Sequence, residues 1–403
     1  MRNVVITSFA RTAVGGFLGG LKTVPVETLA ATAMRAAIDR SNISPDDVEE
    51  VILGHVISST DAPQIARDAA LLLGMERTPG FTVNRICGSG LQAVASAWQE
   101  IVTGAAEIVV AGGAESLSRA PYYLPLDARY QGMRMGSQTL NCANEKSHFN
   151  AAPNARYDPI WMGNTAENVA ARLDIGREQQ DRFALDSQAK TKAAQDAGVL
   201  AEEITPVDIA GRKGTVRVET DEHPRPDATL DSLAGLRPAF QKDGTVTAGN
   251  ATGMNDGAAA LVMMSEEKCR ALGLAPIAYV RDWSIAALDP TVMGLGPAYA
   301  IPKLLAKHGL TLDDLDLVEI NEAFAAQVLG CMVEMGWDMD SPLYQRLNVN
   351  GGAIALGHPL GCSGARITGS LAMEMNRRGA RHGIASACIG GGMGIAVLLE
   401  GAK

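Results

Sequence analysis

Four positions carry most of the chemistry this sequence could do. Cys87 stands in the run Val83-Asn84-Arg85-Ile86-Cys87-Gly88-Ser89-Gly90-Leu91. Beyond it Leu91, Val94, Ala95, Trp98 and Ile101 recur at helical spacing, which predicts a helix starting just after the cysteine. Gly88 and Gly90 permit a sharp turn and a close backbone approach. A thiol at a helix N-terminus meets the positive end of the backbone dipoles, which predicts a favoured thiolate and so a nucleophile. Read alone, a buried cysteine acting as a small hydrophobe fits the run at least as well. Asn321 ends an apolar run, Leu317 to Ile320, and opens Asn321-Glu322-Ala323-Phe324; by itself it suits a helix N-cap. His358 lies in a glycine-dense loop, Asn350-Gly351-Gly352-Ala353-Ile354-Ala355-Leu356-Gly357-His358-Pro359, where backbone can approach a ligand. Cys388 follows a predicted strand, Gly383 to Ala387, and precedes the run Gly390-Gly391-Gly392.

The elements that must position these groups come in two related sets. Ala31 to His55 reads as a helix, a turn containing Asp46-Asp47, then a strand Glu50 to Gly54. Ala298 to Glu322 repeats that order, and a shift of 267 residues superposes both aspartates (Asp313-Asp314) and the strand. A second echo joins Ser89-Gly90, a helix and the strand Glu107 to Ala111 to Ser363-Gly364, a helix and the strand Gly383 to Ala387. Strand, helix, strand in both halves predicts parallel α/β units and a pseudo-twofold pair of α/β domains sharing a crevice. The expected division is 1–120, 121–250 and 251–403. Within the middle part, 121–160 reads as a long excursion loop, Thr165 to Ala197 as helix, and Glu219 to Ala239 as a proline-containing surface loop.

Composition narrows the function classes. The 403 residues, 47% hydrophobic, suffice for two domains with cores of their own. A net charge of −10 argues against nucleic acid as a partner. Six scattered cysteines contain no Cys-x-x-Cys pair and predict neither a zinc site nor a disulfide framework. The opening Met1 to Ser8 reads as a first strand, too short for a signal segment, and no apolar run reaches the ~18 residues of a membrane helix. The ending Gly401-Ala402-Lys403 is no peroxisomal address, so a cytoplasmic protein is expected. The run Gly352 to Gly357 has phosphate-loop spacing but is followed by His358-Pro359, and Gly390 to Gly394 lacks the third glycine of the dinucleotide fingerprint. There is no His-Glu-x-x-His run, and no metal is expected.

Taken together, the runs around Cys87, Asn321, His358 and Cys388 resemble the thiolase family, the acetyl-CoA acetyltransferases and 3-ketoacyl-CoA thiolases. The resemblance spans almost the whole chain and includes Val109-Val110-Ala111-Gly112-Gly113-Ala114-Glu115-Ser116, Met162-Gly163-Asn164-Thr165-Ala166-Glu167-Asn168 and Thr247-Ala248-Gly249-Asn250. It implies a layered α-β-α-β-α core made of two pseudo-twofold-related α/β domains, with an inserted loop domain. It also implies a division of labour. Cys87 attacks a thioester and holds the acyl group, splitting one hard step into two. His358 takes the Cys87 proton and then helps hold a thioester oxygen, and Asn321 orients a water completing that oxyanion site. Cys388 moves the proton at the α-carbon, and the N–H groups of Cys87 and Gly390 hold the other oxyanion. Coenzyme A is implied as substrate and product, with no permanently bound cofactor. Arg225 and Ser232 match positions at its nucleotide end. Met162, Phe240, Ala248, Thr252, Met293, Ala323 and Phe324 match positions along the pantetheine and acyl channel.

The sequence departs from the family pattern at Trp161, where short-chain biosynthetic relatives carry histidine, at Thr252 for a common serine, and at Cys362 for a common alanine. Tyr130-Gln131-Gly132-Met133-Arg134-Met135-Gly136 resembles the family's tetramerisation loop, so a homo-oligomer, dimer or tetramer, is expected. The expected function is reversible thiolysis of 3-ketoacyl-CoA or Claisen condensation with acetyl-CoA, by a ping-pong path through acyl-Cys87. Two alternatives are a decarboxylating condensing enzyme of the same fold and an inactive acyl-CoA binding relative. The first has no need of a thiol in the Cys388 block, and the second would tolerate loss of one of the four residues.

Overall fold

The computed structural model describes every residue except Met1, Arg134, Asn150, Ala151, Lys213 and Lys403. Arg134 of the oligomer-like loop, Met1 of the first strand and Lys403 at the end therefore lie outside the described residues. Among the described residues ten strands form the main sheet, nine of them in one path: β1 (Val4–Arg11), β2 (Glu50–Gly54), β3 (Gly80–Val83), β4 (Ile108–Ser116), β5 (Asn255–Ser265), β6 (Ala278–Ala287), β7 (Leu317–Ile320), β8 (His382–Ile389) and β9 (Met393–Gly401). Their order is β7-β8-β9-β6-β1-β5-β4-β2-β3, with the short strand Gly15–Gly16 also paired to β5. The pairs β7/β8, β2/β4 and β2/β3 are parallel and the rest antiparallel. The order reads alike from the central β6/β1 contact in both directions. The repeat seen in the sequence is thus a repeat in space.

Helices α1 (Val26–Arg40), α2 (Ile65–Leu72), α3 (Ser89–Thr103), α4 (Met162–Arg172), α5 (Arg177–Asp196), α6 (Gly296–Lys307), α7 (Ala325–Glu334) and α8 (Leu360–Arg378) complete the layers. Strand side chains alternate between faces, so each strand feeds two cores. Val109 and Ala111 of β4 join one cluster with α3 and α8, while Ile108 and Val110 join another with α1 and α2. In the second half Ile395, Val397 and Leu399 face α3 and α8; Ala396 and Leu398 face α6 and α7. Helices α3 and α8 therefore form the middle of an α-β-α-β-α stack. The repeated aspartates have a local cause. Ser44 with Asp47, and Thr311 with Asp314, each build a reciprocal capping box on a short 3₁₀ turn leading into β2 and β7.

Several expectations change. The stretch 121–160 is not one loop: Tyr122–Tyr123 pairs with Asn141–Cys142, and Ala143–Phe149 is helical. Thr165 to Ala197 is two helices, broken where Asp174 takes a left-handed φ of 54°. The loop 219–239 holds a helical turn, Leu230–Ala234, capped by Thr229. Residues 255–265, expected in the last part of the chain, pair with β1 and β4 of the first half. Helix α8 opens at Leu360, before Ser363-Gly364. Cys388 does not follow its strand but lies inside β8, opposite Gly394, because the hairpin turns later, where Gly391 and Gly392 adopt φ of 84° and 81°.

Candidate active site

Strand β3 delivers the chain to Cys87 through a turn whose tightest point is Ile86, at a left-handed φ of 48°. For a β-branched residue that conformation costs of order 1–3 kcal/mol. It is held by Asn84 Oδ1, which accepts the Ile86 N–H at 3.0 Å, and by Ser89 Oγ, which accepts the Arg85 N–H at 2.8 Å and donates to the Ile86 carbonyl at 2.7 Å. Of the two tasks expected of the glycines, the close backbone approach is seen for Gly90 and the turn falls to another residue. A Cβ on Gly90 would lie 2.5 Å from the Ala365 nitrogen, so Gly90 lets α3 and α8 touch, while the turn itself is made by a strained isoleucine.

Cys87 and His358 line one cavity of about 540 Å³, walled mainly by apolar side chains. Six of the positions expected along the channel, Met162, Phe240, Thr252, Met293, Ala323 and Phe324, line it too. Phe240 and Phe324 meet edge to face at 6.1 Å. Ala248, Arg225 and Ser232 are exposed and lie outside this lining. Arg225 donates to the carbonyls of Glu222, His223 and Pro224, and Ser232 caps the turn begun by Thr229. Trp161 lines the cavity and packs its ring edge on Phe149 at 5.2 Å. Thr252 Oγ1 donates to the Ala353 carbonyl at 2.8 Å, anchoring the cavity wall to the His358 loop.

His358 is buried and its orientation is fixed at three points. Its N–H is accepted by Asn255 Oδ1 at 2.9 Å; Nδ1 lies 2.6 Å from Ser363 Oγ; Nε2 lies 3.4 Å from Asn321 Nδ2. Ser363 has one hydroxyl proton, donated to the Pro359 carbonyl at 2.9 Å, so Nδ1 carries the ring proton and Nε2 is left as a free base. The asparagine is therefore no N-cap, that place being taken by Phe324; its amide points at the imidazole. Burial, with smaller contributions from Arg366 and His148, pulls the His358 pKa down to about 3.

The expected dipole-stabilised thiolate is not what the site favours at rest. Burial pushes the Cys87 thiol up to about 11, outweighing the opposing hydrogen bonds from the N–H groups of Gly390 and Cys87 itself. Cys87 is half-buried and opens on the cavity, but the desolvation at its sulfur still outweighs the first-turn dipole. Cys388 is fully buried, and burial, then the neighbouring Cys87 and Cys331, raise its pKa well above a free thiol's. Cys87, His358, Asn321, Cys388 and Gly390 thus converge from three strand ends and two helix starts. Sequence reasoning did not single out Ser363 or Asn255 as partners of His358. The serine five residues after the histidine, at the head of a helix, was the available signal.

The chain matches the thiolase N-terminal domain over residues 4–267 and the thiolase C-terminal domain over residues 274–401. It belongs to the thiolase family. An acetyl-CoA acetyltransferase of Chromobacterium violaceum is 49% identical over 98% of this chain and 99% of its own length. The crystal structure of the Bacillus anthracis acetyl-CoA acetyltransferase superposes with a TM-score of 0.93 at 45% identity, covering 100% of this chain and 99% of that one. Human mitochondrial 3-ketoacyl-CoA thiolase in complex with CoA superposes at 0.92 and 43% identity, over 99% and 98%. The thiolase fold and the pseudo-twofold layers read from the repeat are those of these relatives.

Proposed function

We propose that this thiolase transfers acyl groups between coenzyme A thioesters, by thiolysis of 3-ketoacyl-CoA or the reverse Claisen condensation with acetyl-CoA. The observation that carries the reading is a thiol held by two backbone N–H groups in one apolar-walled cavity with an imidazole whose Nε2 is free to take a proton. Because both are neutral at rest, the proton leaves Cys87 for His358 as the sulfur attacks, and the N–H groups of Cys87 and Gly390 face the oxygen that gains charge. The tetrahedral centre then collapses to acyl-Cys87 by breaking its bond to the coenzyme A sulfur, which leaves as the thiolate. His358, with a proton now on Nε2, and Asn321 then hold the thioester oxygen of the second substrate. Cys388, next to Cys87, takes or returns the α-carbon proton. A second thiol in this place favours proton abstraction over a decarboxylating condensation. The presence of all four groups in this chain favours an active enzyme, as do relatives named for the activity.

Coenzyme A enters as substrate: Met162, Phe240, Thr252, Met293, Ala323 and Phe324 border the pantetheine and acyl groups, with the exposed Ala248 further along the pantetheine, and Arg225 and Ser232 meet the nucleotide end. The partner is a second copy of the chain. Strand β3 ends the sheet, and among the described residues no strand pairs its outer edge, whereas the opposite edge is closed by a parallel bridge from Val318 to Leu347. Such an edge invites continuation by another chain. The test is to incubate wild type, Cys87→Ala and Cys388→Ala with radiolabelled acetyl-CoA, quench in acid and count protein-bound label. Wild type and Cys388→Ala take up label and Cys87→Ala does not, while Cys388→Ala loses about 10²–10⁴-fold in turnover. Equal labelling of Cys87→Ala would refute the assignment of the nucleophile. A thiolysis series over ketoacyl-CoA lengths then defines the chain preference.

A further inference from the structure

Behind the nucleophile, Glu115 is fully buried at the end of β4. Its Oε2 accepts the N–H groups of Gly361 at 2.9 Å and Val56 at 3.0 Å, and its Oε1 accepts that of Ile57 at 3.1 Å. His55 Nδ1 lies 3.1 Å from the same carboxylate. These donors come from two segments far apart in sequence: the turn after β2, and the first turn of α8. The backbones around them close without side-chain volume, since a Cβ on Gly361 would lie 2.5 Å from the Gly54 carbonyl oxygen. Gly361 sits between His358 and Ser363, the residue that fixes the imidazole tautomer. A charged carboxylate in a buried place is costly unless compensated, and close to a thiol it works against the thiolate. What it can do, and a neutral amide cannot, is accept three backbone N–H groups and a histidine at once.

We propose that Glu115, balanced by His55, is a positioning residue for acylation: it ties the first turn of α8 to β4 and the turn after β2, and so sets the His358 ring against Cys87. The proposal rests on the reading of Cys87 as nucleophile and His358 as its base. Glu115 also acts on Cys87 directly, its charge being among the influences that hold the thiol proton on. The pair is faced by Glu27 of α1 and by Asp61 and Arg119, which with His55 line a small outer pocket. Burial pulls the His55 imidazolium down, but Glu115, the Ala114 carbonyl and Glu27 more than offset this, so it holds its proton above the usual histidine range.

The experiment uses the full-length enzyme as wild type, Glu115→Gln and His55→Gln, with two readouts. One is the pH dependence of iodoacetamide alkylation at Cys87, resolved by peptide mass spectrometry. The other is the rate of acyl labelling at Cys87 by acetyl-CoA. In Glu115→Gln the alkylation profile moves to lower pH by about one unit, because a negative charge is gone. Acylation nevertheless slows on the order of 10²-fold, because the base is misplaced. In His55→Gln, which keeps the carboxylate but removes its counter-charge, the profile moves to higher pH and acylation slows about tenfold. A purely structural residue would not send thiol reactivity and acylation in opposite directions. Acylation within twofold of wild type in Glu115→Gln, or an unmoved profile in His55→Gln, overturns the proposal. His55→Gln decides it alone if Glu115→Gln does not fold. A wild type that takes no label at Cys87 would instead overturn the function proposed above, and the alkylation profiles would still report on Glu115.

Discussion

At the scale of single residues, the thiol and imidazole of this site divide one proton unequally. Cys87 is held at about 11 and His358 at about 3, both chiefly by burial, so the resting pair is neutral; in the function proposed, charge separates only as a thioester is attacked. That arrangement depends on Ser363, which accepts the Nδ1 proton and passes its own to the Pro359 carbonyl. Ser363→Ala leaves a buried N–H without an acceptor, a penalty of about 1–3 kcal/mol, and frees the ring to adopt the other tautomer, with Nε2 protonated and unable to act as base. The expected result is a kcat/KM for thiolysis lowered about tenfold or more with little change in KM, measured by steady-state assay. Ser363→Thr, which keeps the hydroxyl, recovers part of the loss.

At the scale of elements, two features of the sheet lead to measurable consequences. The first is the crossing of β4 and α8. A Cβ on Gly113 would sit 1.9 Å from the Gly361 carbonyl oxygen, where backbone meets backbone and nothing can rotate away. Gly113→Ala should cost about 3 kcal/mol or more, at or above the usual range for overpacking, and urea unfolding of the purified protein measures it. The second is Glu319, buried in β7. Burial pushes its carboxyl up to about 8, moderated by Arg366, against an ordinary value of 4.5. A carboxyl whose folded pKa lies above its unfolded one contributes stability fully below the unfolded value and loses it as pH rises through the folded value. Glu319→Gln mimics the protonated form at every pH. The melting temperature of Glu319→Gln relative to wild type should therefore rise steadily between pH 5 and pH 8. A constant difference over that window would mean that Glu319 is ionised throughout.

For the whole molecule, the surface carries its own message. The excursion presents Tyr122, Leu126, Tyr130, Met133, Met135 and Leu140 as exposed apolar side chains, Met135 fully so, on one arm. Monomers rarely keep so dense a patch in water. With the edge of β3, which no strand pairs among the described residues, the proposed oligomer would be dimers formed through the sheet and joined by the arm. Sedimentation should give multiples of the 42.2 kDa chain, twofold or fourfold, at micromolar concentration. Replacing Tyr130 and Met133 by serine should halve a fourfold mass without slowing acylation at Cys87, since neither residue lines the cavity. A 42.2 kDa wild type would remove both interfaces at once.

Among the described residues no helix is long and apolar enough to cross a membrane, in keeping with the absence of a long apolar run in the sequence. The sequence by itself determined the repeat, the α/β layers, and Cys87, His358 and Cys388 as the groups to watch. The three residues, each ambiguous alone, stand out through the joint pattern of their runs; the repeat and layers depend on local periodicity. The strands Glu50–Gly54 and Leu317–Ile320 and the start of α3 at Ser89 were legible for the same reason. Tertiary structure decided what depends on distant segments meeting. It placed Cys388 inside its strand, put the turn's strain on Ile86, and made Asn321 a partner of His358 in place of a helix cap. It also reversed the expected ionisation of Cys87. A helix dipole can be read from a local run, but the cavity in which the thiol is desolvated is walled in part by Phe240, Met293, Phe324 and His358, far along the chain. Burial is a property of the packed whole, and no single stretch of the chain contains it.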